Sequence, residues 1–522
     1  MTDAPPEGAG LAPAETLALR DALGATGPIG ATFRQLASVL DLPVPRVQAA
    51  LETWERDGEV HRLGRGLWVL SSYAALTERD DFVDPGDFEE RFERENGVRI
   101  GEYRGPITFR SNETLPVHRW WPYVQGFSAE FVRGVLASAG LDRGATVLDP
   151  FAGSGTTLVE ARRVGARGLG VELLAPAVLA ARVKTRFELD GERLVRRAEA
   201  TARSARRRRA GPPPFLRETG RQFSAAALDE LLRLRDALPP GGVPGADALR
   251  LAFDRVLIPS SRLHRSPCLG YRRGAADEPA GRPTERFLEA ARTMAIDLAV
   301  LQADRRRWGP PADVQLGDAR GFEVPPGSVD LAVTSPPYVN GMDYVMNYKV
   351  DLAWLGFARS YADLRALRGA EVACDNLPRA ETAPYAPIAA APDPWLREIL
   401  PRIRENVRRK GTYRRDDMHA VVHRYFADLV PVLARVQRAL RPRGRFVIVV
   451  GDSLLAGAYV PGDLLLARIA ERLGFRIVAV DVARMRRSGQ RRSFTLRESV
   501  VTLERPSAAR TSRRGPSGPG AR

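Results

Sequence analysis

The stretch ATVLDPFAGSGTTLVEARRVGARGLGVEL, residues 145–173, decides the fold of this chain. A short apolar strand runs into a glycine-rich turn, a helix follows, and a second apolar strand ends at Glu172. This order predicts a parallel sheet with helices on both faces. Glycines let the backbone approach a ligand closely, helix N–H groups face that ligand, and Glu172 is placed to bind ribose hydroxyls. The segment therefore predicts a site for a nucleoside cofactor.

The glycine-rich turn differs from two other nucleotide-binding turns. A P-loop requires Gly-Lys-Ser/Thr, but Gly155 is followed by Thr156. The dinucleotide fingerprint requires Gly or Ala at position 158, where Leu158 stands, so hydride chemistry is disfavoured. A purely structural turn is a further alternative, although such turns rarely carry Asp-Pro-Phe-x-Gly-x-Gly before an acidic strand end.

Another apolar strand, within VDLAVTSPPY at 329–338, leads into a proline-rich motif at the carboxyl edge of the predicted sheet. An exocyclic base amine is a poor nucleophile because its lone pair is conjugated into the ring. The Ser335 side-chain oxygen and the Pro336 carbonyl are placed to accept its two hydrogens, and Tyr338 offers a stacking face for a base turned out of a helix. The motif predicts methylation of a base amine through positioning and hydrogen bonding.

The rest of the chain from 116 to 505 is predicted to complete this domain. Further apolar strands are expected at 313–319, 445–453, 475–482 and 499–505. Two insertions interrupt the pattern, a helical one at 190–311 with an arginine-rich run, and one at 339–415. The tails at 1–14 and 506–522 are predicted to be disordered.

Residues 15–75 resemble a winged-helix domain. Three short amphipathic helices precede EVHRLGRGLWVL at 59–70, which alternates as a β-hairpin should. One interpretation places the helix around 45–55 in a DNA groove with Arg46 and Gln48 outward; the alternative is a module for protein contact or dimerisation. Residues 76–115 are predicted to be a linker.

Composition narrows the class of protein. The formal net charge of +16 suits a polyanionic partner. No stretch approaches the roughly 18 apolar residues of a membrane helix and no signal-peptide pattern opens the chain, so we expect a cytoplasmic location without membrane contact. Cys268 and Cys374 lack ligand spacing, and His419 and His423 share an i, i+4 face without an acidic third ligand, so we expect no metal. Cys268 also lacks the Pro-Cys-Gln context of carbon-5 cytosine chemistry.

DPFAGSGTT at 149–157 and TSPPY at 334–338 together resemble the amino-methyltransferases of DNA, especially the cytosine-N4 group with its SPPY motif. The resemblance implies an α/β, Rossmann-like sheet that binds S-adenosylmethionine, with a helical insertion and the winged-helix domain in front. The catalytic residues it implies are Ser335, Pro336, Pro337 and Tyr338. The cofactor-binding residues we expect are Phe127, Ser128, Asp149, Phe151, Gly153, Gly155, Thr156, Glu172 and Asp318. Of these, Glu172 is implied to hold the ribose, Asp318 the adenine, and Phe127 and Ser128 the methionine end.

Several functional alternatives stay open at this point. Ser335 favours N4 of cytosine over N6 of adenine, whose motif is usually DPPY. RNA amino-methyltransferases share a motif of the Pro-Pro-Tyr type, and a cofactor-sensing DNA-binding regulator without catalysis is a hypothesis from another class. We expect duplex DNA with the target base flipped out, and a restriction or defence partner. The segment that recognises the target DNA sequence is not identified, and residues 190–311 are a candidate for it.

Overall fold

The computed structural model describes residues 11–25, 31–63, 67–71, 85–265, 268–303, 308–374, 391–410, 415–487 and 495–507. The predicted disordered tails lie almost entirely outside these ranges. None of the helices in these ranges is both long enough and apolar enough to cross a membrane.

The N-terminal unit combines helices with a small antiparallel sheet. Its elements in chain order are α1 (Pro13–Ala25), β1 (Ala31–Thr32), α2 (Phe33–Leu40), α3 (Val44–Arg56), β2 (Val60–Leu63) and β3 (Leu67–Leu70). Strand β3 lies between β1 and β2. Thr32 begins α2 with a capping box, and Val47 and Leu51 on α3 pack against Trp68. The assignment of this unit as a winged-helix domain stays a prediction.

The prediction that Arg46 points outward from α3 is wrong. Its Nη2 lies 2.7 Å from Glu15 Oε2 on α1, and 20% of its side chain is exposed. Gln48 donates to Glu52 at 2.8 Å on the same helix. The partner of Arg46 lies 31 residues earlier in the chain, so helical periodicity alone does not reveal the ion pair.

The remaining strands build the central sheet and two small hairpins. They are β4 (Ile100–Glu102), β5 (Thr146–Asp149), β6 (Arg167–Glu172), β7 (Leu263–Arg265), β8 (Leu269–Tyr271), β9 (Asp313–Leu316), β10 (Val329–Thr334), β11 (Leu440–Gly451), β12 (Ser453–Leu455), β13 (Ala458–Val460), β14 (Arg476–Arg487) and β15 (Thr495–Glu504). Within the described residues, the central sheet has eight strands in the order β4-β14-β15-β11-β10-β5-β6-β9. Strands β7 with β8 and β12 with β13 form separate antiparallel pairs.

The central sheet is mixed rather than wholly parallel as predicted. Strand β15 pairs antiparallel with both β11 and β14, whereas the other pairs are parallel. The chain between Arg487 and Thr495 is too short for the helical crossover that a parallel connection needs, so β14 and β15 pair antiparallel. Strands β5, β6 and β10 run parallel to one another, so all three end at one edge of the sheet, as the two signature motifs require.

The predicted linker at 76–115 is wrong from residue 85 onward. A helix at Pro85–Asn96 places Phe88 and Phe92 in the main hydrophobic core, and β4 adds an outer strand to the sheet beside β14. The domain predicted to begin at residue 116 therefore begins before it. A three-residue strand and a helix with so few core-facing side chains give a periodicity too weak to detect in the sequence.

The helices that follow the N-terminal unit surround the sheet. They are α4 (Pro85–Asn96), α5 (Ala129–Ala139), α6 (Thr156–Arg163), α7 (Ala175–Lys184), α8 (Gly191–Arg206), α9 (Thr219–Gln222), α10 (Ala225–Ala237), α11 (Pro244–Leu257), α12 (Arg282–Ala303), α13 (Tyr344–Asn347), α14 (Lys349–Trp354), α15 (Tyr361–Gly369), α16 (Pro394–Lys410), α17 (Met418–Ala439) and α18 (Gly462–Arg472). Side chains of Asp190 and Ser224 accept backbone N–H groups at the starts of α8 and α10.

The insertion at 190–311 is packed into the domain. Its helices share one hydrophobic cluster with α7, with Trp120 and Trp121, and with α13 and α14. Leu249 and Phe253 on α11 are fully buried there. The insertion therefore supports the segments on either side of the predicted cofactor site.

Candidate active site

The glycine-rich turn after β5 depends on two close approaches. Gly153 and Gly155 have φ angles of 51° and 85°, which favour glycine. A Cβ on Gly153 would lie 2.9 Å from the Tyr123 ring, and one on Gly155 would lie 2.9 Å from Ala181 Cα on α7. Side chains at either position would push neighbouring elements away from the turn.

Leu158 shows how this turn differs from a dinucleotide-binding one. The large side chain of Leu158 lies on α6, and Gly168 and Gly170 lie opposite it on β6. A Cβ on Gly170 would come within 2.7 Å of Leu158. Helix and strand therefore pack closely with the glycine on the strand.

Asp149 ties the glycine-rich turn to the proline-rich motif. It is 1% exposed and accepts hydrogen bonds from the hydroxyls of Thr157 and Thr334, each at 2.7 Å. The Phe151 N–H donates to it at 3.1 Å. Burial raises the pKa of Asp149 to about 6, although these donors oppose the rise.

Glu172 lies at the end of β6 and shapes the same turn. Its two oxygens accept the N–H groups of Gly153 and Leu174, each at 2.8 Å. Burial, with the charge of Asp149, raises the pKa of Glu172 to about 7. Each oxygen keeps a lone pair for a ligand hydroxyl.

A pocket opens at this edge of the sheet. Among the expected cofactor-binding residues, Phe127, Asp149, Phe151, Gly153, Thr156, Glu172 and Asp318 line it. Arg320 holds the carboxylate of Asp318 at 2.6 Å and also reaches Asp428 at 2.9 Å. The sequence motifs from four separate segments thus meet around one cavity.

Two of the expected cofactor-binding residues do not line the pocket. Gly155 packs against α7, as described above. The buried Ser128 hydroxyl accepts the Phe131 N–H at 3.0 Å and donates to the Pro106 carbonyl at 2.7 Å, so it caps α5. Ser at 128 directly before a helical pattern is the sequence signature of such a cap.

The proline-rich motif follows β10 beside the pocket. Ser335 and Pro337 line the cavity, whereas Pro336 is buried and Tyr338 lies outside its wall. The Tyr338 hydroxyl donates to Glu498 Oε1 on β15 at 2.8 Å, and Arg484 forms an ion pair with Glu498. Tyr338 therefore has its ring orientation fixed by a residue that no motif indicated.

An aromatic wall closes one side of the pocket and was not predicted. Tyr123 lies between Tyr344 and Tyr348, with ring centroids 6.2 Å and 5.6 Å away and nearly parallel planes. Tyr123 and Tyr344 line the cavity, as does Glu371. Tyr123 stands in the WWPY stretch at 120–123, and its dense aromatic content was a sequence signal for this wall. No sequence signal pointed to Glu371.

Two aspartates of the insertion hold the segment at 117–121, which leads into this wall. Asp297 on α12 accepts the Val117 N–H at 2.9 Å and the Trp120 Nε1–H at 2.8 Å. Asp254 on α11 accepts the Trp121 Nε1–H at 2.7 Å. Val117 has a φ of 69°, which is strained for a β-branched residue.

Two further buried charged groups hold the same segment from the helices beside the sheet. Glu160 on α6 accepts from His118 Nε2 at 2.7 Å and from Arg133 at 2.8 Å. Burial alone would raise its pKa, but these hydrogen bonds hold the pKa of Glu160 at about 2. Lys184 donates to the Trp121 carbonyl at 2.8 Å, and burial lowers the pKa of Lys184 to about 7. The wall is therefore fixed before any ligand binds.

The two cysteines differ in their surroundings. Cys268 is exposed at the β7–β8 hairpin, Cys374 is buried, and neither lines the pocket. In the described ranges, no three His, Cys, Asp or Glu side chains are grouped to hold a metal ion.

The comparisons with known proteins point to the same segments. A family model for N6/N4 methyltransferases, described as "DNA methylase", matches residues 123–181, which include the glycine-rich turn and Glu172. The chain is 24% identical over 450 residues to the Type II methyltransferase M.BsoBI of Geobacillus stearothermophilus, covering 77% of this chain and 88% of that protein. It is 22% identical over 463 residues to the Type II methyltransferase M.AvaI of Nostoc sp. strain PCC 7120, covering 80% and 92%.

The resemblance to the DNA amino-methyltransferases is confirmed. The structure adds that the central sheet of the α/β fold is mixed. Among solved structures, the chain is similar to geranyl diphosphate C-methyltransferase from Streptomyces coelicolor A3(2). The alignment covers 80% of this chain and 97% of that protein, with 9% identity and a TM-score of 0.27.

Proposed function

We propose that this methyltransferase acts on the exocyclic N4 of cytosine in duplex DNA, with the target base flipped out of the helix. The observation that carries the proposal is the position of Ser335, which lines the cofactor pocket at the end of β10 and is tied through Thr334 and Asp149 to the glycine-rich turn. A base amine brought to Ser335 lies beside the methyl donor.

The residues around the pocket suit S-adenosylmethionine. Because Gly153 carries no side chain, the Tyr123 ring and the glycine-rich turn can both line the pocket, and the walls offer Glu172 and Asp318 as acceptors for a nucleoside. When bound, the cofactor supplies an activated methyl group on a positively charged sulfur. Carboxyl groups at 149, 172 and 371 line the pocket with pKa values raised by burial, and a cation bound beside them favours their ionised forms.

The catalytic role of the motif is to hold the amine rather than to form a covalent bond. The Ser335 oxygen and the Pro336 carbonyl accept the two amine hydrogens, which localises the nitrogen lone pair. The prolines fix this backbone. Tyr338 stacks on the base, held in place by Glu498.

Ser335 supports cytosine, and the relatives support DNA. Asp in place of Ser would be typical of adenine-N6 enzymes, but both side chains accept the amine hydrogen bond, so N6-adenine is the nearest alternative. An RNA base is a second alternative. The named relatives are Type II methyltransferases, which supports a restriction partner for this chain as well.

Nucleoside mass spectrometry of DNA incubated with the protein and cofactor tests the proposal. We expect N4-methylcytosine, and we expect Ser335→Ala to abolish it. Finding N6-methyladenine instead would show that the target base is adenine. Modified RNA with unmodified DNA would overturn the substrate class, and binding of cofactor without any methylation would support the regulator hypothesis.

A further inference from the structure

Glu371 is a buried carboxylate with one oxygen unsatisfied. It follows α15, lines the cofactor pocket and is 6% exposed. Its Oε1 accepts the Val345 N–H at 2.9 Å, and the Tyr344 N–H also stabilises the ionised carboxyl group, whereas the buried Oε2 has no hydrogen bond of normal geometry among the described residues. Buried carboxylate oxygens in native proteins are nearly always hydrogen-bonded, so an unsatisfied one in the wall of a pocket indicates a donor on the ligand.

The nearby arginine does not fill this role. Arg368 lies three residues earlier, but its guanidinium pairs with Asp343 at 2.6 Å and donates to it at 2.7 Å. Burial, together with the charge of Asp343, raises the pKa of Glu371. The carboxylate is therefore poorly compensated within the protein itself.

The position of Glu371 narrows the ligand group. Arg320, which holds Asp318, also donates to the Ala370 carbonyl at 3.0 Å, so the chain before Glu371 is fixed beside the nucleoside end of the pocket. Glu172 and Glu371 line the same cavity as Tyr123 and Tyr344. Burial and, after it, the charges of the two carboxylates raise the pKa of both tyrosines. With Glu172 in its proposed role beside the ribose, the donors expected at this part of the pocket are the ribose hydroxyls.

We propose that Glu371 accepts a ribose hydroxyl of S-adenosylmethionine and acts as a second ribose-binding carboxylate with Glu172. The inference rests on the proposed ribose role of Glu172 but not on the identity of the target base. It also links the cofactor to the segment after the catalytic motif, because the same carboxylate holds the start of α13 through Val345.

Calorimetric binding of S-adenosylhomocysteine to the full chain, without DNA, tests this. We expect Glu371→Ala to weaken binding about tenfold, with Glu371→Gln intermediate. The 2′-deoxy and 3′-deoxy analogues identify the contact. For the analogue that lacks the contacted hydroxyl, wild type and Glu371→Ala should bind equally.

Two controls separate a ligand contact from a folding effect. Glu323→Ala removes an exposed carboxylate outside the pocket and should bind like wild type. The ligand-free melting temperature of Glu371→Ala should be unchanged or higher, because an uncompensated buried carboxylate is removed. Wild-type affinity in Glu371→Ala would overturn the inference, as would an equal loss for both deoxy analogues. A failed search for N4-methylcytosine would leave this binding result unchanged.

Discussion

At the scale of single residues, the phenol of Tyr338 and the carboxylate of Glu498 form one unit. Their hydrogen bond of 2.8 Å joins the proline-rich motif to β15. A Cβ on Gly451 would lie 3.1 Å from the Tyr338 ring, so the sequence of β11 also leaves space for this ring. The ring is thereby held at one angle beside Ser335.

We expect Tyr338→Phe and Glu498→Gln each to lower kcat about tenfold with little change in KM for the cofactor, because both remove the same orienting hydrogen bond. The double variant should be no slower than either single variant. Steady-state kinetics on DNA measure this. Glu504→Gln, on the same strand and paired with Arg476 at the surface, is the matched control. Losses that add together would contradict the shared role.

The raised pKa of Glu172 makes cofactor binding depend on pH. In the ligand-free chain burial places this pKa at about 7. Hydroxyl donors and a positive sulfur stabilise the ionised carboxylate, so its pKa falls on binding and a proton is released. Affinity is therefore full above about pH 7 and declines as the pH falls, by up to about tenfold per pH unit. Calorimetry in buffers of different ionisation enthalpy measures the proton, and Glu172→Gln should abolish its release.

At the scale of elements, the insertion at 190–311 holds the wall of the cofactor pocket through Asp254 and Asp297. We expect Asp297→Ala to lower the free energy of unfolding by about 3 kcal/mol, because three donors, on Val117, Arg119 and Trp120, lose a buried acceptor. Denaturant melts measure this. Asp313→Ala, at an exposed ion pair, should change stability little. A loss below about 1 kcal/mol for Asp297→Ala would show that the segment is held by packing alone.

Elements with strong local patterns were predictable, and those defined by distant partners were not. Strands β5, β6 and β10 are short and mostly apolar, and the glycine-rich turn between β5 and α6 carries its own signature. The cap at Ser128 also had a sequence signal, but a family motif suggested a different role. The direction of β15 follows from a short connection. Glu498 and Glu371 are single acidic residues whose partners lie far away in the chain, so no periodicity reveals them.

At the scale of the whole molecule, the positive charge is unevenly distributed. The chain carries +16, yet residues 11–71 contain seven acidic and six basic residues. Glu52 and Glu55 are exposed on α3, and Arg46 is occupied by Glu15. The N-terminal unit is therefore a weak candidate for phosphate contacts, which favours the alternative of a protein-contact module.

Deleting residues 1–75 should leave the salt dependence of DNA affinity nearly unchanged, with a slope of log affinity against log salt that shifts by less than about 1. Fluorescence anisotropy at several salt concentrations measures the slope, and cofactor affinity confirms that the remainder is folded. A slope that flattens by several units would restore the groove-binding interpretation of α3.

Strand β4 protects an edge of the central sheet from pairing with another copy of the protein. Among the described residues, β4 (Ile100–Glu102) pairs with the outer edge of the twelve-residue strand β14, and the Tyr103 N–H adds a hydrogen bond of 3.0 Å to the Val482 carbonyl. A protein beginning at residue 116 would expose that edge, whose unpaired N–H and C=O groups are a template for strand exchange with another copy. Such a shortened protein is expected to aggregate through β14 even with every catalytic residue present.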